Sequence, residues 1–71
     1  MNSDAARKRL LSYLIDNPGK HTAANLCKAV RLRSPHQVGR YSSQMYNIKR
    51  EVPRGGHAAG TVLYWYEEAK V

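Results

Sequence analysis

The side chains best equipped for chemistry in this chain are hydrogen-bonding groups, and catalytic sets are absent. His36, Gln37, Arg40, Ser43, Gln44 and Asn47 fall within one short stretch that contains no acid. An Arg fork matches O6 and N7 of guanine, and Gln or Asn amides match N6 and N7 of adenine. A surface built from these residues is suited to meeting base edges, although the same residues also make an ordinary polar face. The groups that could catalyse are scattered. His21, His36 and His57 have no Cys or carboxylate beside them at ligand spacing, so no metal site is indicated. Cys27, Ser42 and Ser43 have no recognisable base with an orienting partner. Gly55-Gly56 precedes a strand-like segment, whereas a phosphate loop would follow a strand and open a helix. The expectation is a non-enzyme with no cofactor, no metal and no small-molecule substrate.

Charge points the same way. Twelve Lys and Arg stand against five Asp and Glu, a net charge of +7. No acid occurs between Asp16 and Glu51, while Lys20, Lys28, Arg31, Arg33, Arg40, Lys49 and Arg50 all lie there. A polyanion approaching this part of the chain would meet no repelling carboxylate. With 71 residues a single domain, 1–71, is expected, with a small core and modest stability. No apolar run is long enough to cross a bilayer, and Asp4, Arg7, Lys8 and Arg9 interrupt any signal-peptide core. The lone Cys27 excludes an internal disulfide. A cytoplasmic protein without a membrane partner is the expectation.

These side chains need elements to hold them. Ser3 is an N-cap candidate, and Ala6, Leu10, Leu11, Leu14 and Ile15 recur at helical spacing until Asn17-Pro18-Gly19 stops the helix. The first helix is predicted at about 4–16. Lys20-His21 could add one short strand. Thr22 caps a second helix at about 22–31, with Leu26, Cys27 and Val30 on its apolar face. Ser34-Pro35-His36-Gln37 reads as a capping box with Pro at the first helical position. From there Val38, Tyr41, Met45, Ile48 and Val52 form one apolar stripe, and a third helix is predicted at about 35–50. Thr61–Tyr66 is β-branched and aromatic, a strand. Alternation puts Tyr64 and Tyr66 on one face and Leu63 and Trp65 on the other, one face closing the core. Its partner is expected around Val52–Arg54, giving a hairpin at about 52–66 with a Gly-rich loop at 55–60.

Three helices followed by a two-stranded hairpin with a basic, Gly-rich tip resembles the winged helix-turn-helix family. The carriers are Thr22–Val30 followed by Ser34-Pro35-His36-Gln37, and the Gly55–Gly60 loop before Thr61–Tyr66. The segment Arg31-Leu32-Arg33 departs from the pattern, lacking the glycine often found in such turns. The resemblance implies a mainly α fold with a small β-hairpin (α+β) and a C-terminal wing. It also implies that the third helix enters the major groove of double-stranded DNA, with His36, Gln37, Arg40, Ser43, Gln44 and Asn47 facing bases. Lys20, Lys28, Arg31, Arg33, Lys49 and Arg50 would then hold the backbone. Arg54 and His57 would act from the wing, where Gly55, Gly56 and Gly60 allow close approach to phosphates. The role implied is a transcription regulator or an architectural factor, with a homodimer on DNA left open. The alternative is a winged helix that docks an acidic protein partner, for which the aromatic strand offers a surface.

Overall fold

The computed structural model describes residues 3–54 and 59–68. Helices α1 (Ser3–Asp16), α2 (Ala23–Ala29) and α3 (Pro35–Ser42) are joined by strands β1 (His21–Thr22), β2 (Ile48–Glu51) and β3 (Leu63–Tyr66). The strands form one antiparallel sheet in the order β1-β3-β2. The fold is therefore mixed α+β, three helices against a small three-stranded sheet. No helix among the described residues is long and apolar enough to cross a membrane.

α1 buries Ala6, Leu10 and Leu14, one row at a spacing of four. Leu11 and Tyr13 flank that row against the core. Ile15, expected inside, is 48% exposed. It lies about 140° around the helix from Leu10, beyond the width of the buried stripe. At the end of α1 Asn17 donates from Nδ2 to the Tyr13 carbonyl at 2.8 Å, and Gly19 takes the positive φ of 110° that reverses the chain. His21 then fills a structural place: its Nε2 bonds the Asn17 carbonyl at 2.7 Å and its ring meets Tyr13 edge-on.

Thr22 caps α2 as expected, accepting from the Asn25 N–H at 3.2 Å. Ala23, Leu26 and Val30 are buried, and Cys27 packs at the core margin with its Sγ 3.1 Å from the Leu32 carbonyl. The missing glycine of the following turn has a direct consequence. Arg31 itself takes the left-handed conformation, φ 59°, and the Leu32 N–H returns to the Cys27 carbonyl at 2.9 Å. That is the six-to-one bond of a Schellman motif, closed by an arginine where glycine is usual.

α3 departs most from expectation. It ends at Ser42, not near residue 50, and the chain from Ile48 to Glu51 is strand. Gly39, Ser42 and Ser43 are weak helix formers, and the Ser43 hydroxyl donates to the Arg40 carbonyl at 2.8 Å. Gln44 and Met45 bond back three residues, to Tyr41 and Ser42, unwinding the last turn. β2 then gains a ladder with β3, pairing Ile48 with Tyr66, Lys49 with Trp65, Arg50 with Tyr64 and Glu51 with Leu63. The strand partner expected at 52–54 therefore lies four residues earlier. Val52, the end of the supposed stripe, is 51% exposed. Ile48 is buried in either arrangement, which is why spacing alone favoured the longer helix.

Of the two faces the alternation left open, the one carrying Tyr64 and Tyr66, with Ile48 beside them, closes the core. Tyr64 reaches under α3: a Cβ added at Gly39 would lie 3.0 Å from its hydroxyl. The chain between β2 and β3 ends in a 3-10 turn at Ala59–Thr61. A Cβ at Gly60 would lie 3.3 Å from the Ala24 Cβ and 3.8 Å from the Pro35 Cγ. Gly60 thus permits close packing on α2 and α3.

Candidate nucleic-acid interface

With Val38 and Ser42 buried beneath it, α3 turns His36, Arg40 and Ser43 outward, and Gln44 follows, exposed, in the turn after the helix. His36 and Arg40 enter no side-chain hydrogen bond or ion pair among the described residues. The other expected base readers are partly committed. Ser43 spends its proton on Arg40. Gln37 accepts, through Oε1, the backbone N–H of Arg33 at 2.8 Å. The capping box is thus half realised: the Gln reaches back one residue beyond Ser34, and Ser34 makes no side-chain cap. Gln44 accepts through Oε1 from Arg7 Nη1 at 2.7 Å. Asn47 is not on the helix at all; it is half-buried in the turn before β2, and its carbonyl accepts from the Glu67 N–H at 2.8 Å.

The cations expected on a backbone divide similarly. Lys28, Arg31 and Arg33 are exposed on α2 and the turn to α3. Lys49 and Arg50 are exposed on β2 instead of the tail of α3, and alternation puts them on opposite faces of the sheet. Arg54 is exposed beyond β2, while His57, Gly55 and Gly56 lie outside the described residues. Lys20 is engaged within the fold. Its Nζ is 3.1 Å from Glu51 Oε1 and 4.9 Å from the centroid of the Trp65 ring, which stands on the outer sheet face.

Two contacts had no signal in the sequence because they join distant residues. Arg7 pairs with Asp4 on α1 and reaches across to Gln44, so this one cation links the start of α1 to the exit of α3. Arg9 donates from Nε to the Val30 carbonyl at 3.2 Å, satisfying the end of α2. A third feature is a shallow cleft of about 260 Å³ lined by Ser42, Ser43, Met45, Tyr46, Ile48 and Arg50. Tyr46 stands 82% exposed at its rim, and the buried Ser42 Oγ has no hydrogen-bond partner among the described residues. No group of three His, Cys, Asp or Glu among the described residues is placed to hold a metal ion.

The segment from α2 through α3 carries no acid. Of the five acids, Asp4 pairs with Arg7 and Glu51 with Lys20, and none lies on α2, α3 or the turn between them. The chain matches no protein family, no curated protein and no solved structure.

Proposed function

We propose that this chain is a winged helix-turn-helix domain that binds double-stranded DNA, with α3 in the major groove and the β2–β3 connection as its wing. The observation that carries the reading is the outward face of α3, where exposed His36 and Arg40 stand on a helix without acids, with exposed Ser43 at its C-cap. The element order helix, strand, helix, helix, strand, strand with sheet order β1-β3-β2 supports it, since this order presents the third helix beside a hairpin. Lys28, Arg31, Arg33, Lys49, Arg50 and Arg54 surround that helix in sequence and supply phosphate contacts. The role is regulation of transcription or shaping of DNA, at the level of the isolated domain. The rival reading is a winged helix whose basic face docks an acidic protein partner. Binding to random duplex by fluorescence anisotropy tests the proposal. With about five phosphates neutralised, log K should fall against log salt with a slope of roughly −4 to −5. A flat response, or no binding at low salt, refutes it.

A further inference from the structure

We infer that the outer edge of β2 is a docking site for an extended acidic segment of a protein partner, which pairs with it antiparallel and extends the sheet. The inference stands apart from the DNA reading, because the edge lies on β2 and not on the outward face of α3. β3 is the middle strand, so β2 has a neighbour on one side only among the described residues. Two hydrogen bonds fix which of its backbone groups face away. The Glu67 N–H donates to the Asn47 carbonyl at 2.8 Å, and the register of β2 with β3 puts those two residues opposite each other. Bonded pairs alternate along an antiparallel ladder, so Lys49 and Glu51 also bond toward β3, whereas the Ile48 carbonyl, the Arg50 N–H and carbonyl, and the Val52 N–H point outward. The far side of β3 agrees: the Ala23 N–H donates to the Val62 carbonyl at 2.8 Å, which leaves 63, 65 and 67 to face β2. The Ile48 N–H is taken by the Met45 carbonyl at 3.1 Å, but the outward groups of Ile48, Arg50 and Val52 make no hydrogen bond among the described residues. They are a template for one more strand.

Charge decides what fits there. In a pairing of β2 with a second copy, each register centred on Lys49, Arg50 or Glu51 sets that residue against itself, like charge on like. An acidic strand meets no such penalty. With one of its residues opposite Arg50, the next lies opposite Lys49, and both places favour Asp or Glu. The residue before them faces Glu51, which Lys20 already holds at 3.1 Å, and is best uncharged. The residue after them faces Ile48 and comes over the cleft lined by Ser42, Ser43, Met45, Tyr46, Ile48 and Arg50. No residue of β1 or β3 lines that cleft, so it runs along the open edge, and Met45, Ile48 and the exposed Tyr46 suit it to an apolar side chain. The segment that fits therefore reads uncharged, acid, acid, apolar. A phosphate could neutralise the same two cations, but only a strand also engages the edge backbone.

The probe is the end-blocked peptide Ser-Thr-Glu-Glu-Val-Thr-Ser, titrated into the full chain and followed by NMR amide exchange. At saturation the Arg50 and Val52 N–H groups should exchange about tenfold more slowly, a larger change than at Lys49 and Glu51. Two isomers of the peptide carry one N-methyl group each. On the first Glu, whose N–H bonds the Arg50 carbonyl, the methyl should lower affinity about tenfold or more. On the second Glu, whose N–H faces solvent, it should change affinity less than about threefold. Lys in both Glu positions should abolish binding. Equal effects of the two methyl groups, binding that leaves the Arg50 and Val52 amides unprotected, or no binding of the acidic peptide overturns the inference. Protection of those amides that rises with protein concentration alone also overturns it and gives the edge to a second copy. A chain that binds duplex but not the peptide leaves only the DNA reading standing, and one that binds the peptide but no duplex leaves only this site.

Discussion

Two residues carry backbone or packing constraints that single substitutions expose. Arg31 holds φ at 59°, a conformation that costs an L-residue about 1–2 kcal/mol and glycine almost nothing. Glycine also loses more freedom on folding, so Arg31→Gly should be net stabilising by about 0.5–1 kcal/mol, read as a higher urea midpoint. Under the DNA reading the same change removes one phosphate contact, so stability rises while affinity falls. A lower midpoint would mean that the arginine side chain contributes more than its backbone strain removes. Gly39 is the second case. Glycine within a helix is usually about 1 kcal/mol worse than alanine, but here the new Cβ would stand 3.0 Å from the hydroxyl of the buried Tyr64. Gly39→Ala should therefore gain less in the native background than in Tyr64→Phe, with a coupling of about 0.5 kcal/mol or more in a double-mutant cycle. Additive changes would show that the ring moves aside freely.

At the scale of elements, the caps and stops with local causes were legible, and the boundaries decided by pairing were not. Asn17-Pro18-Gly19 ends α1, and Thr22 caps α2, because each acts on residues three or four positions away. The length of α3 was illegible because Val38, Tyr41, Met45 and Ile48 satisfy a helical stripe whether or not the helix continues. Only the ladder with β3, formed with residues 63–66, decides against it. The same error displaced part of the candidate site, moving Asn47, Lys49 and Arg50 off the helix, whereas His36 and Arg40 on the helix, and Ser43 at its C-cap, are exposed as expected. The partners of Gln37 and Gln44 were hidden for a different reason: side-chain bonds to Arg33 and Arg7 leave no periodic trace. The strand reading has a direct check. Ile48→Ala should destabilise by about 2–4 kcal/mol, because Ile48 is 8% exposed and part of the core. Val52→Ala, at a site 51% exposed, should stay within about 0.5 kcal/mol. A helix continuing through Val52 would make both substitutions costly, and the two denaturation curves distinguish the cases.

Under the DNA reading, the question for the whole molecule is which of its charges a polyanion would meet, and the fold gives three cations unequal surroundings. Lys20→Ala, Arg40→Ala and Arg54→Ala each remove one unit from a net charge of +7. If only net charge mattered, as in a diffuse basic surface, the three variants would lose affinity alike on every duplex. Their surroundings predict otherwise. Lys20 is already balanced by Glu51 at 3.1 Å and lies over Trp65, so its charge contributes little new field outward. Lys20→Ala should leave the salt slope nearly unchanged. Arg54 is exposed beyond β2, where the wing would lie along a phosphate strand. Arg54→Ala should weaken cognate and random duplexes together and reduce the slope by about 0.9, the share of one phosphate. Arg40 stands on the outer face of α3, where a fork onto guanine would be specific. Arg40→Ala should cost about 1–3 kcal/mol at the selected site, relax one base position, and change random-duplex affinity far less. Titrations of all three against both duplexes at two or more salt concentrations give the answer. Equal losses would leave α3 no reading role and return the protein to the class of backbone binders. A large effect of Lys20→Ala alone would instead put the outer sheet face, with Trp65 and Lys49, against the partner.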